Sequence, residues 1–280
     1  MVKSIQSSNH PTIQPSNHLI YLIAIVGSFI AGCINTLAGN GSAITLTILT
    51  EVLGLPPNVA NGTNRIGIAA QSGASSWVFF KNDMLDLKRD KLLIILTIIG
   101  AIAGVWVATE VSNEQFKTVF SYLMVIMLFV ILIKPDRWLR DTDTNYKPSL
   151  WITVPAFLAL GFYGGFIQMG MGIFFLVLMV LGARYSIMHA NAVKSVVVTI
   201  YTLVVIAIFQ YNGLIDWELG LLMAIGQTAG GWLTAHYGSK YKNANVWAHR
   251  LLVVIVVAAI VKLFGLHEII WNWGISKLGN

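Results

Sequence analysis

The stretches Leu92–Val107 and Leu251–Leu263 are apolar on every side, with Thr97 and Lys262 their only polar residues. Segments of this kind have no face to turn towards water, and the chain repeats them along its whole length. Of its 280 residues 56% are hydrophobic and only 11% are charged, whereas a soluble domain carries about 25% charged residues to wet its surface. Inside lipid every backbone N–H and C=O must be paired within the protein, which leaves helix bundles and closed barrels. Barrel strands alternate apolar and polar positions over about ten residues, and these runs do not alternate. The predicted fold class is therefore an all-α integral membrane protein.

Apolar runs between polar or Gly/Pro breaks predict ten segments, near 19–38, 42–55, 60–80, 91–110, 116–134, 150–167, 172–183, 189–211, 217–237 and 247–265. A helix needs about 20 residues to cross the hydrocarbon. Eight segments reach that length; the second and seventh are short, and each begins beside a Gly-x-Gly, Gly39-Asn40-Gly41 and Gly170-Met171-Gly172. These two are expected to be re-entrant helices, broken helices or thin spans. The expected organisation is a polar flexible tail (1–18), a first membrane repeat (19–134), a linker (135–149), a second repeat (150–265) and an interfacial tail (266–280) with Trp271 and Trp273. The tail before Leu19 lacks the basic start of a cleavable signal.

The corresponding breaks point to an internal repeat. An offset of 131 places Gly39 and Gly41 on Gly170 and Gly172. An offset of 130 places Ala60-Asn61 on Ala190-Asn191, and Asn82 and Asp86 on Asn212 and Asp216. An offset of 126 places Gly100 and Gly104 on Gly226 and Gly230. The last two pairs, spaced four apart, suit close helix packing. Basic residues gather in cytoplasmic loops. Lys81, Lys88, Arg89 and Lys91 lie in one connection, and Lys134, Arg137, Arg140 and Lys147 in the central linker, while the connection 211–218 has neither Lys nor Arg. Equivalent loops then face opposite sides, both termini are external, and the halves are inverted-topology repeats. Such repeats recur in secondary transporters, with the solute held where the interrupted helices meet.

The polar run Asn61-Gly62-Thr63-Asn64-Arg65 opens the third segment, after Pro56-Pro57, and Asn191 with Lys194-Ser195 opens the eighth. A guanidinium in lipid is costly unless it faces a wet cavity or a partner, and neither half offers a nearby acid. Two cations on matching helix starts point to an anionic solute; snorkelling to the head groups is the competing reading. The expected solute-binding residues are Gly39, Asn40, Gly41, Asn61, Thr63, Asn64, Arg65, Gln168, Gly170, Gly172, Asn191, Lys194 and Ser195. Gln71, Ser72, Ser75 and Ser76 are expected to make interhelical contacts. Glu51 and His189 are candidate proton sites. Cys33 is read as a buried small side chain, and one cysteine excludes an intramolecular disulfide.

No His-Glu-x-x-His, Walker A or Gly-x-Ser-x-Gly motif occurs, and the six histidines do not fall at metal-ligand spacing. The reading is thus a non-enzyme needing no metal or cofactor, with basic residues too scattered among apolar segments for a nucleic-acid partner. A coupling proton or cation and homo-oligomerisation are left open. A non-transporting helical membrane protein, either an assembly partner or an intramembrane enzyme, is the alternative.

The order of motifs is familiar. Gly32 and Gly39-Asn40-Gly41 lead to Leu53-Gly54-Leu55-Pro56-Pro57, then Ala60, Gly62-Thr63-Asn64, an aromatic run, Lys81-Asn82-Asp83 and the Gly-spaced fourth segment. Over about residues 20–265 this resembles the TauE/SafE family. Asn40 stands where that family more often has glycine, and Met169 and Met171 interrupt an often Gly-rich stretch. The resemblance implies a bacterial inner-membrane permease for a small anion such as sulfite, a sulfonate (sulfoacetate, toluenesulfonate) or a carboxylate. It carries this pattern onto Gly39, Gly41, Pro56, Ala60, Gly62, Thr63 and Asn64.

Overall fold

The computed structural model describes residues 18–82, 85, 87–132, 148–237 and part of 250–265. The sequence-predicted tails, most of the linker and the Trp271/Trp273 pair lie outside the described residues. Helices α1 (His18–Ala38), α2 (Gly41–Thr47), α3 (Pro57–Lys81), α4 (Leu87–Glu110) and α5 (Asn113–Leu132) form the first half. The second contains α6 (Leu150–Phe166), α7 (Met171–Val177), α8 (Ile187–Tyr211) and α9 (Trp217–Tyr237). The described positions from Arg250 to Val261 are helical as well, and no strand occurs among the described residues.

The same succession of elements thus appears twice, and its hydrogen bonds recur at an offset of 130. Helices α2 and α7 each run on into a widened π-helical turn, at Ile48–Val52 and Leu178–Gly182. Leu53 N–H donates to Ile48 C=O at 2.9 Å and Ala183 N–H to Leu178 C=O at 3.0 Å. The next bonds, Leu55 to Leu49 and Tyr185 to Met179, match at 2.9 and 3.0 Å. Asn82 and Asn212 close α3 and α8 alike, each turning its side-chain amide onto the carbonyl four residues back. This register aligns Asn40 with Gly170, one residue away from the alignment suggested by the two Gly-x-Gly motifs.

Helix α2 folds back along α1. Gly41 lies against Ala31 and Asn35, and Ile48 lies against Gly27, so the two make a helical hairpin whose tip is Gly39-Asn40. In the other half Gly164 touches Met171 and the Tyr163 ring meets Phe174 at 5.4 Å, so α6 and α7 make a second hairpin. Each hairpin packs chiefly on the other half: α1 runs along α9, and α6 along α4. Glycines set these seams. A Cβ on Gly226 or Gly230 would collide with α1 at Ile25–Ser28 or at Phe29. One on Gly100 or Gly104 would strike the backbone carbonyl of Leu158 or Phe162. The residue pairing shows that α1, α3 and α9 run in one direction. Thr63 lies against Asp216 and Gln71 beside Gly231, while Tyr21 meets Glu218 and Phe29 meets Gly230. Helices α3 and α8 are antiparallel, since Gly62 faces Phe209 whereas Ser76 faces Thr199.

Large apolar side chains cover the outside, among them Trp77, Trp106, Phe129, Leu203 and Ile225, each more than half exposed. That surface suits lipid rather than water. Among the described residues, Arg89–Glu110 and His189–Tyr211 combine the length and hydropathy of a membrane span. Helix α6 is 17 residues long, and the 25 residues of α3 are diluted by Asn61, Asn64 and Arg65.

The seams make opposite predictions for two glycines. Gly104→Ala is expected to destabilise by about 1–3 kcal/mol, because its methyl meets backbone that cannot yield. Gly73 has only a Thr199 methyl at ordinary contact distance, so Gly73→Ala is expected to gain about 0.5–1 kcal/mol of helix propensity. Thermal unfolding in detergent, followed by tryptophan fluorescence, reads both.

Candidate functional site

The two hairpin tips meet. A Cβ on Gly39 would lie 3.2 Å from the Gly172 carbonyl carbon, and one on Gly172 would press on the Gly39 carbonyl oxygen. The chain reverses here through left-handed residues: Gly39 at φ 73°, Gly170 at φ 71°, and Gln168 at φ 67°. A side-chain-bearing residue adopts that conformation at some cost, and Gln168 is held there by its partners. Its side-chain oxygen accepts from Arg65 Nη1 at 2.9 Å and from the Tyr201 hydroxyl, while the Tyr163 hydroxyl ties down Met169 C=O.

Arg65 is fully buried beneath this tip. Its Nη1 donates to Gly164 C=O at 2.6 Å and its Nη2 to Gly165 C=O at 2.9 Å and to Asn61 Oδ1 at 3.1 Å. Asn61 Nδ2 completes the clamp on Phe166 C=O at 2.7 Å. The last carbonyls of a helix lack intrahelical donors and carry the negative end of its dipole. Arg65 and Asn61, from the first half, fill that role for α6 of the second. Its partners are therefore main-chain carbonyls rather than an acid, and its burial rules out snorkelling to the head groups. The Arg65 guanidinium also lies 5.8 Å from the centre of the Phe209 ring.

Asn40 sits at the first tip, fully buried, with neither its side-chain nitrogen nor its oxygen hydrogen-bonded. On α3, Asn64 accepts from Thr45 Oγ1 of α2 at 2.6 Å while its Nδ2 has no partner, and Arg65 Nε is likewise unpaired. Buried polar groups are hydrogen-bonded in the great majority of cases; Asn40, Asn64 and Arg65 depart from this, as do Asn58, Thr202, Gln227 and Thr228 among the described residues. The tip is braced from behind by Asn35, which accepts from Gly41 N–H at 3.3 Å and donates to Gln71 Oε1 at 3.1 Å. Gln71 in turn donates to Gly32 C=O and Thr36 Oγ1; its contact is interhelical.

Gly39, Asn40, Gly41, Gln168, Gly170 and Gly172 thus form or flank the tips, with Asn61, Asn64 and Arg65 bonded to hairpin residues. The remaining sequence-predicted residues bond elsewhere. Thr63 accepts from Asp216 N–H at 2.9 Å, at the connection between α8 and α9. Lys194 Nζ donates to Asn191 Oδ1 at 2.7 Å, and Ser195 Oγ to Asn191 C=O at 2.9 Å. Glu51 lines a cavity of about 260 Å³ with Lys117, Thr50 and Pro56. Tyr163, Tyr201 and Thr45 escaped the sequence reading, because hydroxyls in apolar helices carry no pattern that separates a partner of the tip from ordinary filling.

The TauE/SafE sulfite exporter profile matches residues 24–263. The chain belongs to the TauE/SafE family. Three relatives extend the likeness over most of their length, each described as a probable membrane transporter protein. One from Sinorhizobium is 28% identical over 249 residues, 88% of this chain and 92% of its own. One from Haemophilus influenzae is 27% identical over 225 residues, 79% and 84% of the two chains. One from Escherichia coli K12 is 23% identical over 250 residues, 88% and 91%. No solved structure matches the chain.

Two substitutions separate support from spare chemistry at the tips. Arg65→Met strands the Gly164 and Gly165 carbonyls, at about 1–3 kcal/mol each, and is expected to lower the unfolding midpoint sharply. Asn40→Ala removes a side chain that bonds to nothing, and is expected to leave the midpoint unchanged or raise it. Both are read by thermal unfolding of the purified protein.

Proposed function

We propose that this TauE/SafE protein is a secondary transporter, a permease for a small organic or sulfur-containing anion such as sulfite, a sulfonate or a carboxylate. The observation that carries the reading is the Asn40 side chain, wholly buried at the meeting point of the hairpins and without a hydrogen-bond partner. Burying an amide unpaired costs on the order of 1–3 kcal/mol by protein mutational measures. That cost is returned when a solute with oxygen acceptors takes the amide N–H groups. Asn64 Nδ2 and Arg65 Nε add unpaired donors, and the guanidinium adds positive potential in a medium of low dielectric. The family's description favours sulfite export, and those of the relatives favour membrane transport without naming a solute.

Alternating access follows from inverted repeats. In this reading each hairpin enters from its own side of the membrane and stops near the middle, so the solute rests between two re-entrant tips. The opposed directions of α3 and α8 support it, as does the spread of the connections: 53–56, 111–112 and 212–216 gather at one end of the bundle, Asn82 and 183–186 at the other. Opening one hairpin at a time would admit the solute from one face at a time. Lys194, Asn191 and Ser195 line the route from the end that carries Lys81 and Arg89, taken as cytoplasmic by its charge. Both termini are then external and the membrane is the bacterial inner membrane.

Purified protein in liposomes, offered sulfite, sulfoacetate and toluenesulfonate, is expected to show saturable flux of at least one. Asn40→Ala is expected to reduce it tenfold or more with folding intact. Absence of flux for all three, or wild-type flux in Asn40→Ala, would overturn the assignment.

A further inference from the structure

A second buried polar cluster lies away from the hairpin tips, where the start of α4 meets the start of α8. Asp90 is completely buried. One carboxylate oxygen accepts from the Tyr185 hydroxyl at 2.7 Å, and the other lies 3.2 Å from His189 Nε2. The His189 side chain keeps 20% of its surface exposed, against none for Asp90. Ser186 caps α8 and accepts from His189 N–H at 3.3 Å, which fixes the helical turn that presents the imidazole. The cluster joins residues of the first half to residues of the second.

We propose that Asp90 and His189 form the proton-binding site through which a proton gradient drives solute movement, an inference that rests on the transporter reading above. The carboxylate is closed off from water, and the imidazole is the group beside it with an exposed edge. Protons therefore reach Asp90 by way of His189, whose imidazole can accept a proton at one ring nitrogen and release it from the other. Protonation turns the contact into a charge-assisted bond across the α4–α8 seam, and deprotonation weakens it. Proton occupancy is thereby linked to how firmly the two helices are held together. Two residues beyond His189 on α8 lies Asn191, the partner of Lys194 Nζ. A shift of that helix start is thus passed towards the solute route.

Charged and aromatic side chains surround the pair, among them Lys91, exposed next to Asp90 on α4. Also on α4, Arg89 lies over the Tyr185 ring, 4.4 Å from its centre. Burial, with the bond to Asp90, pushes the Tyr185 phenol above its ordinary range, so it stays a donor. Arg184 precedes it in the same connection and is exposed. Helices α6 and α7 and the π-helical turn after α7 contain no Asp, Glu, Lys, Arg or His. Helix α3 contributes Lys81 at its end, held 5.2 Å from the Trp77 ring centre, and α8 itself contributes Lys194.

The experiment compares two modes of transport in the same proteoliposomes, using sulfite and toluenesulfonate as probes. Counterflow without a pH gradient reports solute exchange; accumulation under an imposed gradient reports coupling. Wild type is expected to show both. His189→Gln and Asp90→Asn are expected to keep counterflow within about threefold of wild type while gradient-driven accumulation falls at least tenfold. Tyr185→Phe, which removes the supporting donor and leaves the pair in place, is expected to keep both modes and to shift the pH profile of accumulation. Wild-type counterflow that ignores the gradient, or variants that accumulate like wild type, would overturn the coupling assignment alone. Variants that lose counterflow as well would show a structural role and overturn it too. Absence of counterflow in wild type would overturn the transport reading and this inference with it.

Discussion

Two stretches of main chain touch at the centre of this protein, at Gly39 and Gly172, and almost every other arrangement follows from that contact. Backbone can approach backbone so closely only where neither residue carries a side chain. The approach brings the ends of α1 and α6 and the starts of α2 and α7 together in the interior, where each frayed helix end must find a partner. Arg65 and Asn61 supply it for α6, and Asn35 and Gln71 do so for the turn from α1 to α2. Asn40 lies at that meeting point with neither side-chain atom bonded, and Asn64 Nδ2 and Arg65 Nε on α3 are unpaired too.

The clamp has a mechanical consequence. Arg65 belongs to α3 and holds α6, while the glycine seams bind α1 to α9 and α6 to α4. Each half of the sequence is therefore held in part by helices of the other. The hairpins are fixed by helices of the opposite half, so any motion that opens the tips must work against cross-half contacts. Close-packed interfaces of this kind move between discrete arrangements rather than deforming smoothly.

Much of the architecture was legible in the sequence. Apolar runs placed α6 and α9 to within a residue, and the two breaks were marked by their glycines. The register slipped by one, because the tips use their glycines differently: the left-handed turn falls on Gly39 before Asn40 in one and on Gly170 in the other. Arg65 was recognised as needing a partner, but its carbonyl partners lie about a hundred residues away in sequence, at Gly164 and Gly165. The absence of an acid nearby therefore said little about its role. For the same reason His189 looked isolated until the fold brought Asp90 to it across 99 residues. Hydropathy alone describes α3 poorly, because that helix spends much of its length on the polar groups that hold the tips.

The central claim is that two helical hairpins enter from opposite faces and meet inside. Single cysteines in a Cys33→Ser background, probed in sealed vesicles with a membrane-impermeant thiol reagent, test it most directly. Val52, Ser112 and Tyr211 are exposed at one end of the bundle, and Asn82 and Trp151 at the other. Cysteines at the first three positions are predicted to react from one side of the membrane and cysteines at the other two from the opposite side. Reaction of Val52 from the same side as Asn82 would mean that α2 crosses the bilayer instead of turning back, and the meeting of two tips would have to be abandoned.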